Sequence, residues 1–317
     1  MDEQHGVAVD PSNELSRVRR DVLPRGLRRH RLQRADRLRD RLVHRAGTRG
    51  HRRRALALGQ TPGLVPLLTH GHDVAYARDQ LDRRRGANLR FALHKRFSWM
   101  QRYLGPDSIA AEVGCGAGFS ERFLTAKRLL LTDAEIRPWI GCVLDAQALP
   151  FRERTLDAII ANNVIHHLAY PDRFFREAIR VLRHGGHLLV QECNCGLTTE
   201  WALRLTGHEG FDWTADPFDA SRPCCDPRDP WAANCAIPNL LFDDLPRFRD
   251  HYPELGIAES GLSEFFVHFN NGGMSTQVPY LPLSEPAMRL VDAVDGALVA
   301  IAPRLFAAQR RIALRRA

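Results

Sequence analysis

The 317-residue chain predicts an α/β fold with a mostly parallel sheet, on three observations. Residues 109–118, Ile-Ala-Ala-Glu-Val-Gly-Cys-Gly-Ala-Gly, are an apolar run that breaks into Gly114, Gly116 and Gly118, the pattern of a strand entering a nucleotide-binding turn. A second apolar run, Arg128–Asp133, ends in an acid about 20 residues after the first glycine, where nucleotide folds place a ribose-binding carboxylate. Beyond it, strand-like segments alternate with helical ones, as crossover connections in a parallel sheet require.

In chain order, residues 1–86 read as an Arg-rich arm. They hold 20 Arg against 10 acids, a net of +10, while the remaining 25 bases and 27 acids leave −2. The arm has one aromatic residue, Tyr76, and no lysine or cysteine, too little apolar surface to offset its chain entropy. Disorder is expected, with weakly held helix near 31–45. Its arginine clusters suit phosphate binding, a solvated tail suits its composition equally, and its Arg-rich, lysine-free text also fits upstream sequence foreign to the natural protein. The folded part is expected to start near Leu89 with a helix running to Tyr103-Leu104 and stopped by Gly105-Pro106.

The first strand then enters the glycine turn, after which a helix is expected to present free N–H groups to the ligand. Glu112, two residues before Gly114, is placed to pair with an ammonium group. A dinucleotide fingerprint wants its third glycine at position 119, where this chain has Phe119, so NAD is the runner-up ligand and S-adenosylmethionine, which carries an ammonium, the first. Only nine residues, Ala134–Cys142, join the second strand to the third, so a short turn or extended strap through Pro138 and Trp139 is expected instead of a helix. The third element, Cys142–Phe151, places Asp145 just past a strand, where it suits either an adenine amino group or a turn. A fourth strand, Leu156–Asn163, leads to His166 and His167; a helix over 171–183 and Gly185-Gly186 lead to a fifth, His187–Glu192.

Together these residues resemble a class I S-adenosylmethionine-dependent methyltransferase, of the type 11 group related to ubiquinone and menaquinone methylation enzymes. The resemblance rests on EVGCGAG at 112–118, Asp133, DAQALPF at 145–151, LDAIIANNVIHHL at 156–168 and RVLRHGG at 180–186, about 100 residues in the family's order. It implies a doubly wound, Rossmann-like sheet of seven strands, with the cofactor across the carboxyl ends of the first of them. By position, Glu112 and the turn Gly114, Cys115, Gly116 and Gly118 would hold the methionine part, Asp133 the ribose, Asp145 and Ala146 the adenine, and Asn162 would line the reaction centre.

The rest divides into the cofactor-binding half at 87–195, a Pro- and Asp-rich lid insertion at 196–238, and the remainder of the sheet at 239–317 with a helical insertion at 285–309. Leu240–His251 reads as amphipathic helix, Glu264–Phe269 as the sixth strand and Arg311–Arg316 as the seventh.

Methyl transfer from a sulfonium needs alignment and exclusion of water, and a base only where the acceptor must lose a proton. His166 and His167 are the candidate bases, with His208, Glu209 and His268 as weaker ones. The expected activity is methylation of a small-molecule, glycan or lipid-linked acceptor at oxygen; an RNA methyltransferase using the arm and a non-catalytic S-adenosylmethionine-binding protein are the alternatives. No metal is expected: Cys193, Cys195, Cys224, Cys225 and Cys235 contain no Cys-x-x-Cys pair and no repeated spacing. All seven cysteines read as reduced thiols, Cys115 being small enough for its turn and Cys142 the seventh. The longest apolar run, Leu290–Ala308, is broken by Asp292, Asp295, Pro303 and Arg304, so no integral membrane segment is expected, and a cytoplasmic location follows.

Overall fold

The computed structural model describes residues 74–82, 86–207, 209–274 and 280–317. Residues 66–149 and 153–317 make one compact unit; of the other, 1–65 with 150–152, only the last three are among the described residues. The expectations of disorder up to residue 73, and of helix near 31–45, lie outside them, as does His208.

Seven strands form one sheet: β1 (Ile109–Val113), β2 (Arg128–Asp133), β3 (Cys142–Val143), β4 (Leu156–Asn162), β5 (Leu182–Cys193), β6 (Leu255–Ser263) and β7 (Gln309–Arg316). Their spatial order is β3-β2-β1-β4-β5-β7-β6; the first five run parallel and β7 is antiparallel to both neighbours. Strand order reverses between β1 and β4, which pair from Ala110↔Ala158 to Val113↔Ala161. In a doubly wound sheet a crevice opens at that reversal, outside the carboxyl ends of the strands. Ala110–Val113 and Ala158–Ala161 are buried, which suits strands covered on both faces.

Helices α1 (Val74–Asp82), α2 (Ala87–Ser98), α3 (Pro171–Val181), α4 (Leu197–Thr206), α5 (Ile237–Phe242), α6 (Leu245–His251), α7 (Phe266–Phe269), α8 (Glu285–Ile301) and α9 (Pro303–Phe306) complete the architecture. In α3, Pro171 occupies the first turn, where its missing N–H costs nothing, and Phe174, Phe175, Ala178 and Val181 form the buried face. Phe175 meets Phe242 of α5 and Phe248 and Tyr252 around α6.

Several expectations are corrected here. The arm does not extend to 86, and the folded part does not begin at Leu89: Val74, Ala77 and Leu81 of α1 are buried, and Arg78 Nη1 donates to Ala117 O at 2.7 Å. Three apolar residues on one face, plus a guanidinium tether, hold a segment whose composition alone reads as arm. No α-helix follows the glycine turn. A four-residue 3-10 turn, Phe119–Arg122, stands there, because only five residues separate it from β2. The sixth strand is Leu255–Ser263 and not Glu264–Phe269. The Asp295 carboxylate accepts the backbone N–H groups of Phe265, Phe266 and Val267 at 2.8–2.9 Å, which turns that aromatic run into helix. Leu240–His251 is two helices, separated where the Asp244 carboxylate caps α6 by accepting from Arg247 N. The helix expected over 285–309 ends at Ile301, and β7 begins at Gln309.

The connection 134–141 holds no helix: it is a strap of bends with a turn at Pro138-Trp139, closed by Ile140 N donating to Arg137 O at 3.1 Å. The insertion after β5 is ordered by serial Asx turns: Asp212, Asp216, Asp219, Asp226 and Asp229 each accept the N–H two residues on, at 2.8–3.1 Å.

Candidate active site

The turn after β1 is held from three sides. Asp133 Oδ2 accepts Gly116 N at 2.8 Å, Trp139 Nε1 of the strap donates to Gly116 O at 2.8 Å, and Arg78 of α1 reaches Ala117 O. Gly114, Gly116 and Gly118 all have positive φ, at 59°, 50° and 67°. Their sterics differ. A Cβ on Gly114 would stand 2.5 Å from Val164, and one on Gly118 2.9 Å from Trp139, so the protein's own packing excludes side chains there. A Cβ on Gly116 would meet only Val74 at 3.8 Å, so this glycine alone faces open space.

That space is a cavity of about 620 Å³, within the range of small-molecule sites. Every residue proposed from sequence for the cofactor, Glu112, Gly114, Cys115, Gly116, Asp133, Asp145, Ala146 and Asn162, lines it except Gly118, which shapes the turn from behind. Asp133 also accepts Glu135 N at 3.0 Å, and Asp145 accepts Gln147 N at 2.8 Å, so each shapes its own loop as well as facing the cavity.

Glu112 is 2% exposed, and burial pushes its carboxyl up to about 8, with the nearby Asp133 charge adding to the rise against a hydrogen bond from Ser120 Oγ. Among the described residues, no basic side chain pairs with it. A buried carboxyl facing a cavity beside open-faced Gly116 fits a ligand bearing a cationic amine, and the cradle therefore fits S-adenosylmethionine. Burial also pushes the Cys115 thiol up, which agrees with a residue present for its size.

The opposite wall carries the histidines. His166 and His167 form a 3-10 turn after β4, their rings 4.2 Å apart. His166 Nδ1 lies 2.6 Å from Glu192 Oε2 at the end of β5, and its Nε2 lies 3.7 Å from Glu209 Oε2. Burial disfavours a charged ring, yet the Cys193 sulfur and the Glu192 carboxylate carry His166 well above its ordinary value. Glu192 stays below the usual carboxylate range despite burial, because His166 and the N–H groups of Ile165 and Val164 donate to it. An ionised Glu192 can only accept, so His166 Nδ1 carries a proton and donates.

His167 lines the same cavity and is less buried. Its Nδ1 sits 3.2 Å from Ala232 O, which can only accept, so the proton is on Nδ1 and Nε2 presents a lone pair. Burial, and then the charge on His166, lower it to about 4, so the ring is neutral. His268 lies on a third side. Arg96 Nη2 and Gln309 Nε2 stand 3.2 Å from its Nδ1. Both are donors, so Nδ1 accepts and Nε2 carries the proton; burial and Arg96 lower His268 to about 4.

The insertion supplies Leu203 and Glu209, and Trp231, whose Nε1 donates to Glu135 Oε1 at 3.2 Å. Sequence reasoning misses Glu192 and Arg96 and names Cys193 and Cys235 only among thiols not expected to bind metal; Arg96, Cys193, Trp231 and Cys235 all stand in the cavity wall. Position gave one signal: residues 192–193 end β5 in the sheet layer that places Asn162 at the end of β4. Nothing local marks Arg96 or Cys235.

Residues 111–190 match the family described as methyltransferase domain. A probable tRNA methyltransferase 9B of Mus musculus is 38% identical over 96 residues, covering 27% of this chain and 22% of that protein. A probable S-adenosylmethionine-dependent methyltransferase of Mycobacterium tuberculosis is 31% identical over 119 residues, covering 34% of this chain and 40% of that one. The chain thus spans about a fifth to two fifths of the length of these relatives.

Proposed function

We propose that this chain, which carries a class I S-adenosylmethionine-dependent methyltransferase domain, methylates a small-molecule, glycan or lipid-linked acceptor at oxygen. The observation that carries this reading is the single cavity, with the glycine turn, Asp133 and Asp145 on one wall and His167, Glu209 and Trp231 on another. The cofactor, when bound, supplies an electrophilic methyl. Glu112 offers its carboxylate to the ligand ammonium, Gly116 admits the ligand to the backbone, and Asp133 offers a carboxylate oxygen to the ribose hydroxyls. His167 takes the acceptor proton at Nε2, where its neutral ring presents a lone pair, while His166 Nε2 is turned toward Glu209 at 3.7 Å. His166 and His268 hold protons toward Glu192 and the cavity respectively, so the base role, first shared between His166 and His167, falls to His167. Trp231 and Leu203 keep water from the reacting atoms, which strengthens alignment and suppresses hydrolysis.

Isothermal titration of the full chain with S-adenosylmethionine, S-adenosylhomocysteine and NAD tests the cofactor half. Binding of the first two and not the third is expected. Asp133→Ala should weaken binding by about 1–3 kcal/mol, roughly 5- to 150-fold, through loss of charge-assisted hydrogen bonds. Equal affinity of wild type and variant would remove Asp133 from the site. An acceptor screen scored by S-adenosylhomocysteine release then tests turnover, and binding without release for any acceptor would favour a non-catalytic role.

An RNA acceptor is the second reading, favoured by the tRNA methyltransferase relative and the Arg-rich residues 1–86. It predicts tRNA binding that weakens steeply with salt and is lost when residues 1–73 are removed, since phosphate contacts act through counterion release. Salt-independent binding, or equal binding by the shortened chain, would count against it.

A further inference from the structure

Outside the cofactor cradle, the described residues gather two thiols and an imidazole at one point of the cavity wall, with a carboxylate beside one of the thiols and the imidazole. His166, Cys193 and Cys235 are all buried, and one potential ligand atom of each lies within 4.8 Å of the others. Glu209 joins them, its Oε2 3.1 Å from Cys235 Sγ and 3.7 Å from His166 Nε2. Around a tetrahedral zinc, with bonds of about 2.0–2.3 Å, neighbouring donor atoms stand roughly 3.3–3.8 Å apart. Of the two distances to Glu209, 3.7 Å lies within that range and 3.1 Å just below it, and the ligand atoms of His166, Cys193 and Cys235, within 4.8 Å of one another, close onto it with side-chain movements of about an ångström.

The surroundings of the ring also match. His166 donates Nδ1–H to Glu192, which fixes the ring and leaves Nε2 toward Glu209. A carboxylate on the far nitrogen of a histidine is the usual support of a metal ligand, orienting it and raising its basicity. Cys193 and Cys235 also pack with Cys195, Leu203 and Phe211, as small apolar residues would. Packing accounts for Cys195. It does not account for a thiol held 3.1 Å from a carboxylate oxygen with an imidazole beside it, since apolar filling needs neither group.

We propose that His166, Cys193, Glu209 and Cys235 form a binding site for a borderline-soft divalent cation of the zinc class. Thiolate and imidazole ligands select against magnesium and calcium, which prefer all-oxygen sets. The four ligands come from four places: the turn after β4, the end of β5, and both flanks of the Asp-rich loop, at 209 and 235. The ion therefore pins that loop to the sheet and fixes the wall on which His167 and Trp231 stand. No Cys-x-x-Cys pair is needed, because the sheet supplies the spacing that sequence motifs supply in small zinc domains.

Cobalt(II) titration of the reduced full chain tests this. Wild type should take up one equivalent with the near-ultraviolet absorption of thiolate-to-cobalt charge transfer, and equimolar zinc should bleach it. Cys193→Ser and Cys235→Ser, which keep the volume, should each lower affinity at least tenfold, and Glu192→Gln should lower it by about 10- to 100-fold through loss of the histidine's support. Cys142→Ser, in β3 and away from the cluster, should leave the titration unchanged. A folded, reduced wild type that gives no thiolate-to-cobalt band would overturn the proposal, and that readout requires no variant to fold. A band that survives in both serine variants would also overturn it, as would one lost equally in Cys142→Ser. Because the titration uses neither cofactor nor acceptor, its outcome is independent of the methyltransferase reading.

Discussion

Glu264→Gln is expected to destabilise the protein by about 3–5 kcal/mol, lowering the thermal midpoint by roughly 6–20 °C. Glu264 follows β6 and faces Arg96 of α2: Nε lies 3.2 Å from both carboxylate oxygens and Nη2 2.7 Å from Oε2, with the side chains 1% and 2% exposed. Two buried charges in a forked pair offset each other's desolvation; removing one leaves the other without compensation. The effect should depend on pH. Burial would raise the Glu264 carboxyl, but Arg96 holds it below its ordinary value of 4.5. The native state therefore gives up that proton more readily than the unfolded chain, so the stabilisation is complete above the unfolded value and lost as pH falls through the lowered native one. Melts of wild type and variant should accordingly converge in acid. Equal midpoints at neutral pH would mean that the pair contributes nothing. A second effect is local: Arg96 also donates to His268 Nδ1, so the variant should loosen that side of the cavity.

Ligand binding should expel a proton from Glu112. Burial raises this carboxyl to about 8, so in the free protein at pH 7 it is mostly neutral, whereas the unfolded chain ionises near 4.5. Between those values the native state holds more protons than the unfolded one, so this residue's contribution to stability falls as pH rises from about 5 to 8, by a few kcal/mol in order of magnitude. An ammonium arriving in the cradle favours the ionised form. Calorimetric titration with S-adenosylhomocysteine at pH 7, in buffers of different ionisation enthalpy, should show release of roughly one proton. Glu112→Gln should abolish that release, weaken binding, and flatten the fall of thermal midpoint with pH. Identical apparent enthalpies in all buffers would mean that Glu112 does not meet a cation.

The gap between sequence pattern and structure lies in particular elements. β1, β2, β4 and β5 are legible because a buried parallel strand is a short apolar run closed by glycine, asparagine or an acid, and each run has few local alternatives. Residues 264–269 have the same composition, yet 266–269 fold as helix because Asp295, about thirty residues away, accepts the N–H groups of Phe265, Phe266 and Val267. The actual edge strand, Leu255–Ser263, alternates in burial but carries glycines and serines, so its pattern is visible only beside β7. α1 reads as arm because its apolar face is small and it runs into Arg83-Arg84-Arg85 at the end of an Arg-rich stretch, and only the glycine turn beneath it gives Arg78 a carbonyl to bind.

By itself the sequence determined the presence of β1, β2, β4 and β5 and the glycines, asparagine and acids that close them, because a strand–turn–acid pattern is local; their spatial order follows from the strand pairing. It also determined that Glu112, Asp133, Asp145 and the histidine pair would share one face, since each directly follows or closes a strand of the same parallel set. Tertiary structure alone decided what those groups can do. The protonated nitrogens of His166, His167 and His268 are dictated by Glu192, Ala232 and Arg96, which lie 26, 65 and 172 residues away in the chain. The gathering of Cys193, Glu209 and Cys235 beside His166 likewise depends on where a loop of Asx turns returns to the sheet. Protonation and ligation are properties of neighbours in space, and spacing along the chain carries them only where a single turn or strand brings the partners together.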